Sequence, residues 1–298
     1  MSKNKPTPIS LSLSQSKLER KENGNLEIKI TIPQEIIAKA YQKALQKMSE
    51  SAKIKGFRPG KAPTAMAEKA LGKEKIYQEM AKTLLTDVYL EAIKTHKIIP
   101  IVNPKLDLVS AEEGKDWQVT AVTAEIPEII LGDYKEKIKK ELAAEKIWVP
   151  GKDKTEEKKE ESIEKKLQKT LQTLIRDIKM KIPQILIEQE AARMLSQLID
   201  QTTKLGLTVE QYLTSVGKNT DQLRAEYEKQ AEESIKLELI LSEIANQENI
   251  KIEDEEIEKM IQATTSKNIK KPLETPRQKT YLRQILRKRK AIDILLSL

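Results

Sequence analysis

The sequence predicts an α+β domain in its first half and an all-α domain in its second half. Alternation of apolar and polar residues, which is typical of half-buried strands, is confined to the part of the chain up to Glu125. From Thr155 onward, apolar residues recur at helical spacing and almost no strand pattern remains. We therefore expect an antiparallel sheet with packed helices over residues 1–134, a linker over 135–154 and an all-helical domain over 155–298.

The first predicted elements are two strands and a helix. The strands are residues 9–14 and Leu26–Ile32, with a turn at 22–25 between them. Pro33 then begins a helix, because proline at the first helical position gives up no hydrogen bond that the helix would otherwise make. One apolar stripe predicts the face that this helix buries: Ile36, Ile37, Ala40, Tyr41, Ala44, Leu45 and Met48.

A short loop follows the helix and carries the only phenylalanine of the chain. Its sequence is Gly56-Phe57-Arg58-Pro59-Gly60-Lys61-Ala62-Pro63. The glycines allow backbone angles that other residues avoid, and the prolines stiffen what lies between them. A surface loop seldom places its only phenylalanine where no core can bury it. The loop is therefore either a shaped docking site or a rigid helix–helix turn with Phe57 folded beneath it.

The rest of the first half completes the α+β pattern. A short helix is predicted over 64–71, ended by Gly72, and a longer helix over about 75–96. Two further strands are predicted at 105–109 and 117–125. The loop then lies between helices, at one end of the sheet.

The second half predicts about six helices. They span about 156–180, 183–205, 208–216, 219–246, 253–263 and 275–298, after a short helix near 135–146. The last helix carries five basic residues, which predict either a solvated face or a contact with RNA: Arg283, Arg287, Lys288, Arg289 and Lys290. Methionines, Met66 and Met194 among them, are interpreted as core residues or as part of an adaptable apolar surface.

The composition argues against an enzyme. The absence of cysteine excludes disulfides, thiolate catalysis and cysteine-based metal sites. The single histidine, His96, ends a predicted helix, where a cation interacts favourably with the helix dipole. No glycine-rich phosphate loop, nucleophile elbow or zinc-protease helix occurs. We expect no catalytic residue, no metal and no cofactor.

The basic charge is concentrated in the first half. Residues 1–140 contain 25 Lys and Arg against 18 Asp and Glu, a net of +7, whereas the remainder has 29 against 28. This bias indicates either a polyanionic partner such as nucleic acid or simple lysine richness for solubility. No apolar run is long enough to cross a bilayer, and the start has no signal-like apolar segment, so a cytoplasmic protein is predicted.

The 56–63 loop resembles the ribosome-binding signature of the trigger factor family, the bacterial chaperones of the polypeptide exit tunnel. Its surroundings are similar as well, through Ile30-Thr31-Ile32-Pro33, Ala40-Tyr41, Leu71-Gly72-Lys73-Glu74, Pro100, Pro104, Glu125-Ile126-Pro127-Glu128 and Leu131-Gly132-Asp133-Tyr134. The resemblance covers residues 9–140 most closely. Residues 182–190 are similar to the start of the helical chaperone domain of that family.

The resemblance implies an ATP-independent chaperone that binds nascent polypeptides at the tunnel exit. It implies contacts with a large-subunit protein and ribosomal RNA, and none with a membrane. The implied ribosome-binding residues are Gly56, Phe57, Arg58, Pro59, Gly60, Lys61 and Pro63. Weak homodimerisation is compatible with this interpretation.

One departure from the family bears on catalysis. Trigger factors usually carry a prolyl isomerase domain of the FK506-binding type, which needs about a hundred residues. Only residues 133–182 lie between the two resembling regions, and no phenylalanine occurs there. We expect the isomerase to be missing. The alternatives are an isomerase-active trigger factor, a general RNA-binding protein, and a chaperone that works away from ribosomes.

Overall fold

The computed structural model describes residues 15–52, 57, 62–143, 156–263 and 275–298. The chain forms two compact units. The first runs to Ile126 and includes Pro183–Ile185, and the second consists of Pro127–Ile182 and Leu186–Leu298. The predicted fold class is confirmed, because a four-stranded antiparallel sheet with helices lies in the first unit and helices make up the second.

The sheet of the first unit has the order β1-β2-β4-β3, with every neighbouring pair antiparallel. Its strands are β1 (Gln15–Arg20), β2 (Leu26–Ile32), β3 (Lys105–Ser110) and β4 (Trp117–Thr123). The last three match the predicted strands. The predicted strand at 9–14 lies outside the described residues, and β1 was not predicted because Leu18 is its only apolar residue. Edge pairing with β2 produces this strand, with Leu18 opposite Ile28.

Three helices cover one face of this sheet. They are α1 (Gln34–Ser51), α2 (Thr64–Leu71) and α3 (Lys73–His96). Pro33 is the N-cap of α1, and its carbonyl accepts from the backbone N–H groups of Ile36 and Ile37. The helix therefore begins where predicted, with the proline one position before the first helical residue. Alternate residues of β2 and β4 face the helices, and the fully buried side chains at this contact include Ile28, Ile30, Ile32, Ile36, Leu45, Ile76, Met80 and Leu84.

The second unit consists of helices and connecting segments, with no strand among its described residues. Its helices are α4 (Tyr134–Ala143), α5 (Glu156–Asp177), α6 (Gln184–Lys204), α7 (Val209–Val216), α8 (Thr220–Gln247), α9 (Asp254–Ala263) and α10 (Pro276–Leu296). Thr208 and Asn219 begin α7 and α8 with reciprocal capping boxes, which satisfy backbone N–H groups at each start. The six predicted helices are thereby confirmed.

Two apolar clusters hold the second unit together. The larger joins α4, α5, α8, α9 and α10 around side chains such as Ile138, Leu174, Ile240 and Ile244. The short helix α4 therefore packs as part of this unit, with Ile138 fully buried. The smaller cluster comprises Ile182, Ile187, Ala191 and Ala231, with Met194 packed against them.

Candidate functional site

The 56–63 loop is flanked by α1 and α2, as the sequence predicts. After α1 the backbone becomes extended at Ala52, and Pro63 introduces α2 with its carbonyl accepting from the N–H groups of Met66 and Ala67 at 2.9 and 3.0 Å. Phe57, Ala62 and Pro63 are described by the structure. The other predicted site residues lie outside the described residues: Gly56, Arg58, Pro59, Gly60 and Lys61.

Two exposed apolar side chains lie at or near this loop. Phe57 is 38% exposed and is not part of the buried core of the first unit. Met66, in the first turn of α2, is 54% exposed. The interpretation of Met66 as a core residue is therefore wrong, and the alternative of an apolar surface applies to it. Its position three residues after Pro63 is the signal that could have linked it to the loop.

Tyr41 and Glu68 connect the two helices that flank the loop. The hydroxyl of Tyr41 donates to a carboxylate oxygen of Glu68 at 2.7 Å. Burial of the phenol, and next the bond to Glu68, raise the pKa of Tyr41, so the hydroxyl stays protonated and remains a donor. Ala67 beside it is fully buried, which keeps α2 close to its neighbours. The base of the loop is therefore fixed by packing and by one directed bond.

The chain around the loop is strongly basic. Residues 39–61 contain seven Lys and Arg and only one acidic residue, Glu50. Lys39, Lys43 and Lys47 are spaced by four on α1 and so share a face of that helix. Lys47 is only loosely engaged, since its ammonium lies 3.7 Å from Glu79. This arrangement gives the loop and the preceding helix a positive potential suited to an anionic partner.

A second candidate site is an exposed apolar surface on the second unit. On α6, on α7 and between them, five large apolar side chains are exposed, and they are together called the α6–α7 apolar surface below: Ile199, Leu205, Leu207, Val209 and Val216. Leu205 is 77% exposed. None of the eight residues of α7 is buried, although the helix has apolar residues on one side. An amphipathic helix without a buried face is typical of a surface that meets a partner.

The basic residues of α10 are largely committed to internal contacts. Arg283 pairs with Asp254 and Lys288 with Glu238, while Lys290 lies 2.7 Å from Glu256. The guanidinium of Arg287 donates to the carbonyl of Ile250 at 3.0 Å. These contacts fix α10 to α8 and α9. The side chains of Arg283 and Lys290 remain 39% and 41% exposed, so these ion pairs lie on a solvated face of α10, which is one of the two predicted alternatives, and contact with RNA stays a prediction.

Within the described ranges, no group of three or more His, Cys, Asp or Glu residues is placed to hold a metal ion. In the same part of the chain, no helix combines the length and apolar character needed to span a membrane. His96 lies with Nε2 3.0 Å from the hydroxyl oxygen of Ser16, so it contacts β1 at the end of α3.

Two family models match nearly the whole chain. The model for the bacterial trigger factor protein matches residues 14–153, and the model for the bacterial trigger factor protein C-terminus matches residues 151–297. The two matched ranges adjoin. No stretch of domain length therefore separates the N-terminal and C-terminal parts of this chain.

Curated relatives resemble the first part of the chain. The trigger factor of Lactiplantibacillus plantarum is 36% identical over 121 residues, covering 41% of this chain and 28% of that protein. The trigger factor of Staphylococcus aureus is 37% identical over 117 residues, covering 39% of this chain and 27% of that protein. The chain thus spans under a third of the length of these curated relatives in the matched regions.

A solved structure is similar in fold to nearly the whole chain. It is a structure of the trigger factor chaperone, described for promiscuous substrate recognition in folding and assembly activities. The match covers 94% of this chain and 99% of that one, with a TM-score of 0.61 and 16% identity. At this identity the likeness establishes a shared fold.

Proposed function

This chain belongs to the bacterial trigger factor family, and on this premise we propose that it is an ATP-independent chaperone of nascent polypeptides that docks on the ribosome through the 56–63 loop. The proposed docking partners are a protein of the large subunit at the tunnel exit and the adjacent ribosomal RNA. The protein works in the cytoplasm without a cofactor.

The observation that carries the docking proposal is the basic segment around the loop. Seven cations against one anion within residues 39–61 favour a polyanion such as ribosomal RNA. Phe57 adds an exposed apolar group that can enter a pocket on a ribosomal protein, and aromatic anchors of this kind contribute much of the binding energy at interfaces. Arg58 and Lys61 supply the charged contacts, and these weaken as salt rises.

The α6–α7 apolar surface supports the chaperone part of the proposal. Unfolded segments expose apolar side chains, and burial of such side chains is non-directional, so it accepts many sequences. Five exposed apolar residues on α6, on α7 and between them offer such a surface without any nucleotide-binding element. Binding of this kind is weak and reversible, as holding a nascent chain requires.

We expect no prolyl isomerase activity from this chain. The two family matches adjoin at residues 151–153, so no segment long enough for an additional domain lies between them. A prolyl isomerisation assay on a short proline peptide should give the uncatalysed rate. Clear turnover would favour an isomerase-active form and contradict this part of the proposal.

Ribosome co-sedimentation tests the docking proposal. The triple variant Phe57→Ala/Arg58→Ala/Lys61→Ala should pellet with ribosomes at least about tenfold more weakly than the wild type at physiological salt. A matched control is Tyr281→Ala/Arg277→Ala/Lys279→Ala, which removes the same kinds of side chain from α10, where Tyr281 is exposed. Equal pelleting of the loop variant and the control would overturn the proposal.

The basic segment also favours a second candidate, a general RNA-binding protein. The two candidates differ in the role of Phe57. Loss of ribosome binding in Phe57→Ala alone, with unchanged binding to bulk transfer RNA, supports specific docking. Ribosome binding that Phe57→Ala leaves intact, and that Lys39→Ala/Lys47→Ala removes, supports general RNA binding.

A further inference from the structure

The first unit contains a cleft that neither the docking loop nor the α6–α7 apolar surface accounts for. It has a volume of about 250 Å³ and lies between α1, α2, α3 and the turn that joins β3 to β4. Tyr41, Tyr77 and Trp117 line its wall, and we call it the Tyr41–Trp117 cleft. Its volume is below the range of about 300–1,000 Å³ typical of small-molecule pockets, and this favours a single side chain as guest.

The wall of the cleft is a continuous row of aromatic rings. The ring centroids of Tyr41 and Tyr77 lie 4.8 Å apart, and those of Tyr77 and Trp117 lie 6.1 Å apart. Trp117 is buried, while the two tyrosines are half-buried and reach the cleft surface. Three aromatic residues thus lie at one cleft in a chain in which only 3% of the residues are aromatic. Faces of such rings attract cations through their quadrupoles.

The polar lining of the cleft is more acidic than basic. It contains three carboxylates, from Glu68, Glu112 and Glu113, against the ammonium groups of Lys73 and Lys115. The two lysines are already engaged, Lys73 with Glu113 at 3.1 Å and Lys115 with Glu112 at 2.5 Å. Glu68 accepts from Tyr41, and no ion pair of Glu68 occurs among the described residues.

The lining of the cleft therefore carries one net negative charge, with three carboxylates against two ammonium groups, although residues 1–140 carry a net charge of +7. The pKa values of Tyr77 and Tyr41 are shifted in the direction that nearby negative charge produces. Burial raises the pKa of Tyr77 most, and the charge of Glu113 raises it further, against a smaller opposite effect of Lys73. Glu68 and Glu113 likewise add to the raised pKa of Tyr41. A guest that brings positive charge is stabilised here, and an anionic guest is repelled.

We propose that the Tyr41–Trp117 cleft binds an arginine side chain of an unfolded polypeptide. The planar guanidinium can lie against the ring of Tyr41 or Tyr77 while it donates to the carboxylate of Glu68. Arginine suits the site better than lysine, because its planar group both stacks and donates two parallel hydrogen bonds. Stacking of a nucleic acid base is disfavoured, because its phosphates would approach the three carboxylates.

This inference rests on the proposed function only in taking unfolded polypeptides as the ligand class. The cleft then adds charge selection to the apolar binding of the α6–α7 apolar surface. Clients with an arginine among apolar residues should be held more tightly than clients of the same apolarity without one.

Trp117 provides a direct report of occupancy. The chain has two tryptophans, so Trp148→Phe leaves Trp117 as the only one. Its fluorescence then changes when a ligand occupies the cleft. The probe is a ten-residue peptide with one central arginine among leucine and serine. Its matched control has citrulline, which keeps the shape and loses the charge. We expect the arginine peptide to bind about tenfold more tightly and to change the Trp117 emission.

Isosteric variants separate a binding role from a structural role. Glu68→Gln keeps an acceptor for the Tyr41 hydroxyl and should abolish the preference for arginine over citrulline. Glu79→Gln removes a carboxylate of α3 that does not line the cleft, so it should keep the preference.

Three outcomes would overturn the inference. They are equal binding of the two peptides by the wild type, an arginine preference that survives Glu68→Gln, and a larger Trp117 response to an RNA oligonucleotide than to the peptide. All measurements use purified protein without ribosomes. If the arginine preference is absent and the wild type still pellets with ribosomes, only the cleft proposal is contradicted. If the loop variant pellets as well as the wild type and the arginine preference is present, only the docking proposal is contradicted.

Discussion

The hydroxyl of Tyr41 donates a hydrogen bond of 2.7 Å to Glu68, and this bond joins α1 to α2 at the base of the 56–63 loop. Tyr41 also lies against the ring of Tyr77 on α3. Three helices therefore meet at one phenol. The same phenol takes part in the base of the 56–63 loop and in the wall of the Tyr41–Trp117 cleft.

Tyr41→Phe removes this bond and leaves the ring in place. We expect the free energy of unfolding to fall by about 1 kcal/mol, because a half-buried carboxylate loses a donor. Urea denaturation followed by Trp117 fluorescence in a Trp148→Phe background measures the change. Tyr77→Phe is the matched control, since its hydroxyl has no hydrogen bond within the described residues, and it should change the stability by less than about 0.5 kcal/mol. Equal losses for the two variants would contradict the role of the Tyr41–Glu68 bond.

Gly24→Ala should destabilise the first unit more than Gly114→Ala. Both glycines have positive φ, +80° and +82°, so alanine is strained by about 1–2 kcal/mol at either site. A Cβ on Gly24 would in addition lie 3.1 Å from Cα and 3.3 Å from N of Pro183, whereas nothing lies within 4 Å of a Cβ on Gly114. The clash is with backbone atoms, which cannot move aside cheaply.

We expect the second effect to add about 1 kcal/mol or more to the loss at Gly24. The same urea titration compares the two variants directly. Similar losses at the two glycines would mean that Pro183 does not approach the turn as closely as the structure has it.

Leu205→Ser/Val216→Ser should weaken chaperone activity without unfolding the protein. Both side chains are exposed, so we expect a change of no more than about 0.5 kcal/mol in stability. Suppression of aggregation of a denatured client should fall several-fold, because apolar contacts with the client are lost. Ile99→Ser/Val109→Ser is the control, since it removes apolar groups that are at least as exposed from the first unit. An equal loss of suppression in the control would argue against a special role of the α6–α7 apolar surface.

Glu19 should make the β1–β2 hairpin sensitive to acid. Hydrogen bonds from Lys21, and then from Lys29 and Lys17, lower the pKa of Glu19 from 4.5 to about 2. A carboxylate with a lowered pKa stabilises the folded state above its unfolded pKa, and this contribution is lost as the pH falls from 4.5 towards about 2.

The melting temperature of wild type and Glu19→Gln as a function of pH tests this expectation. The wild type should melt higher at neutral pH, and the two curves should converge near the lowered pKa. The difference should shrink in high salt, because the pairs are at the surface. Glu22→Gln is the control, since Glu22 has no ion pair among the described residues. A difference between wild type and Glu19→Gln that persists unchanged at low pH would contradict the assignment.

Much of the fold could be predicted because local patterns agree with the tertiary structure. The alternation in β2, Pro33 before α1 and Asn219 before α8 each indicate an element that the structure confirms. β1 could not be found in this way, because its residues become a strand only through pairing with β2. The helical pattern of the sequence also assigns residues to a helix without identifying the residues that they contact in the folded protein.

The two candidate sites differ in how far the sequence reveals them. The 56–63 loop is contiguous, so its composition and its resemblance to a family signature could be seen directly. The Tyr41–Trp117 cleft brings together side chains from α1, α3 and β4, and no spacing along the chain indicates that Tyr41 and Trp117 are neighbours. The sequence also could not decide whether Met66 is buried or exposed, since its exposure depends on how α2 packs.

The place of Pro183–Ile185 in the first unit bears on how this protein is itself made. The N–H of Gln184 donates to the carbonyl of Asn23 at 3.1 Å, and the N–H of Ile185 donates to the side-chain oxygen of Asn25 at 3.0 Å. These bonds link residues 160 positions apart in the case of Asn25 and Ile185. During synthesis the turn around Gly24 emerges long before its partner, so the first unit is completed only after more than half of the chain has been translated. The sheet can form early, while the contacts with Pro183–Ile185 can form only after those residues have been translated.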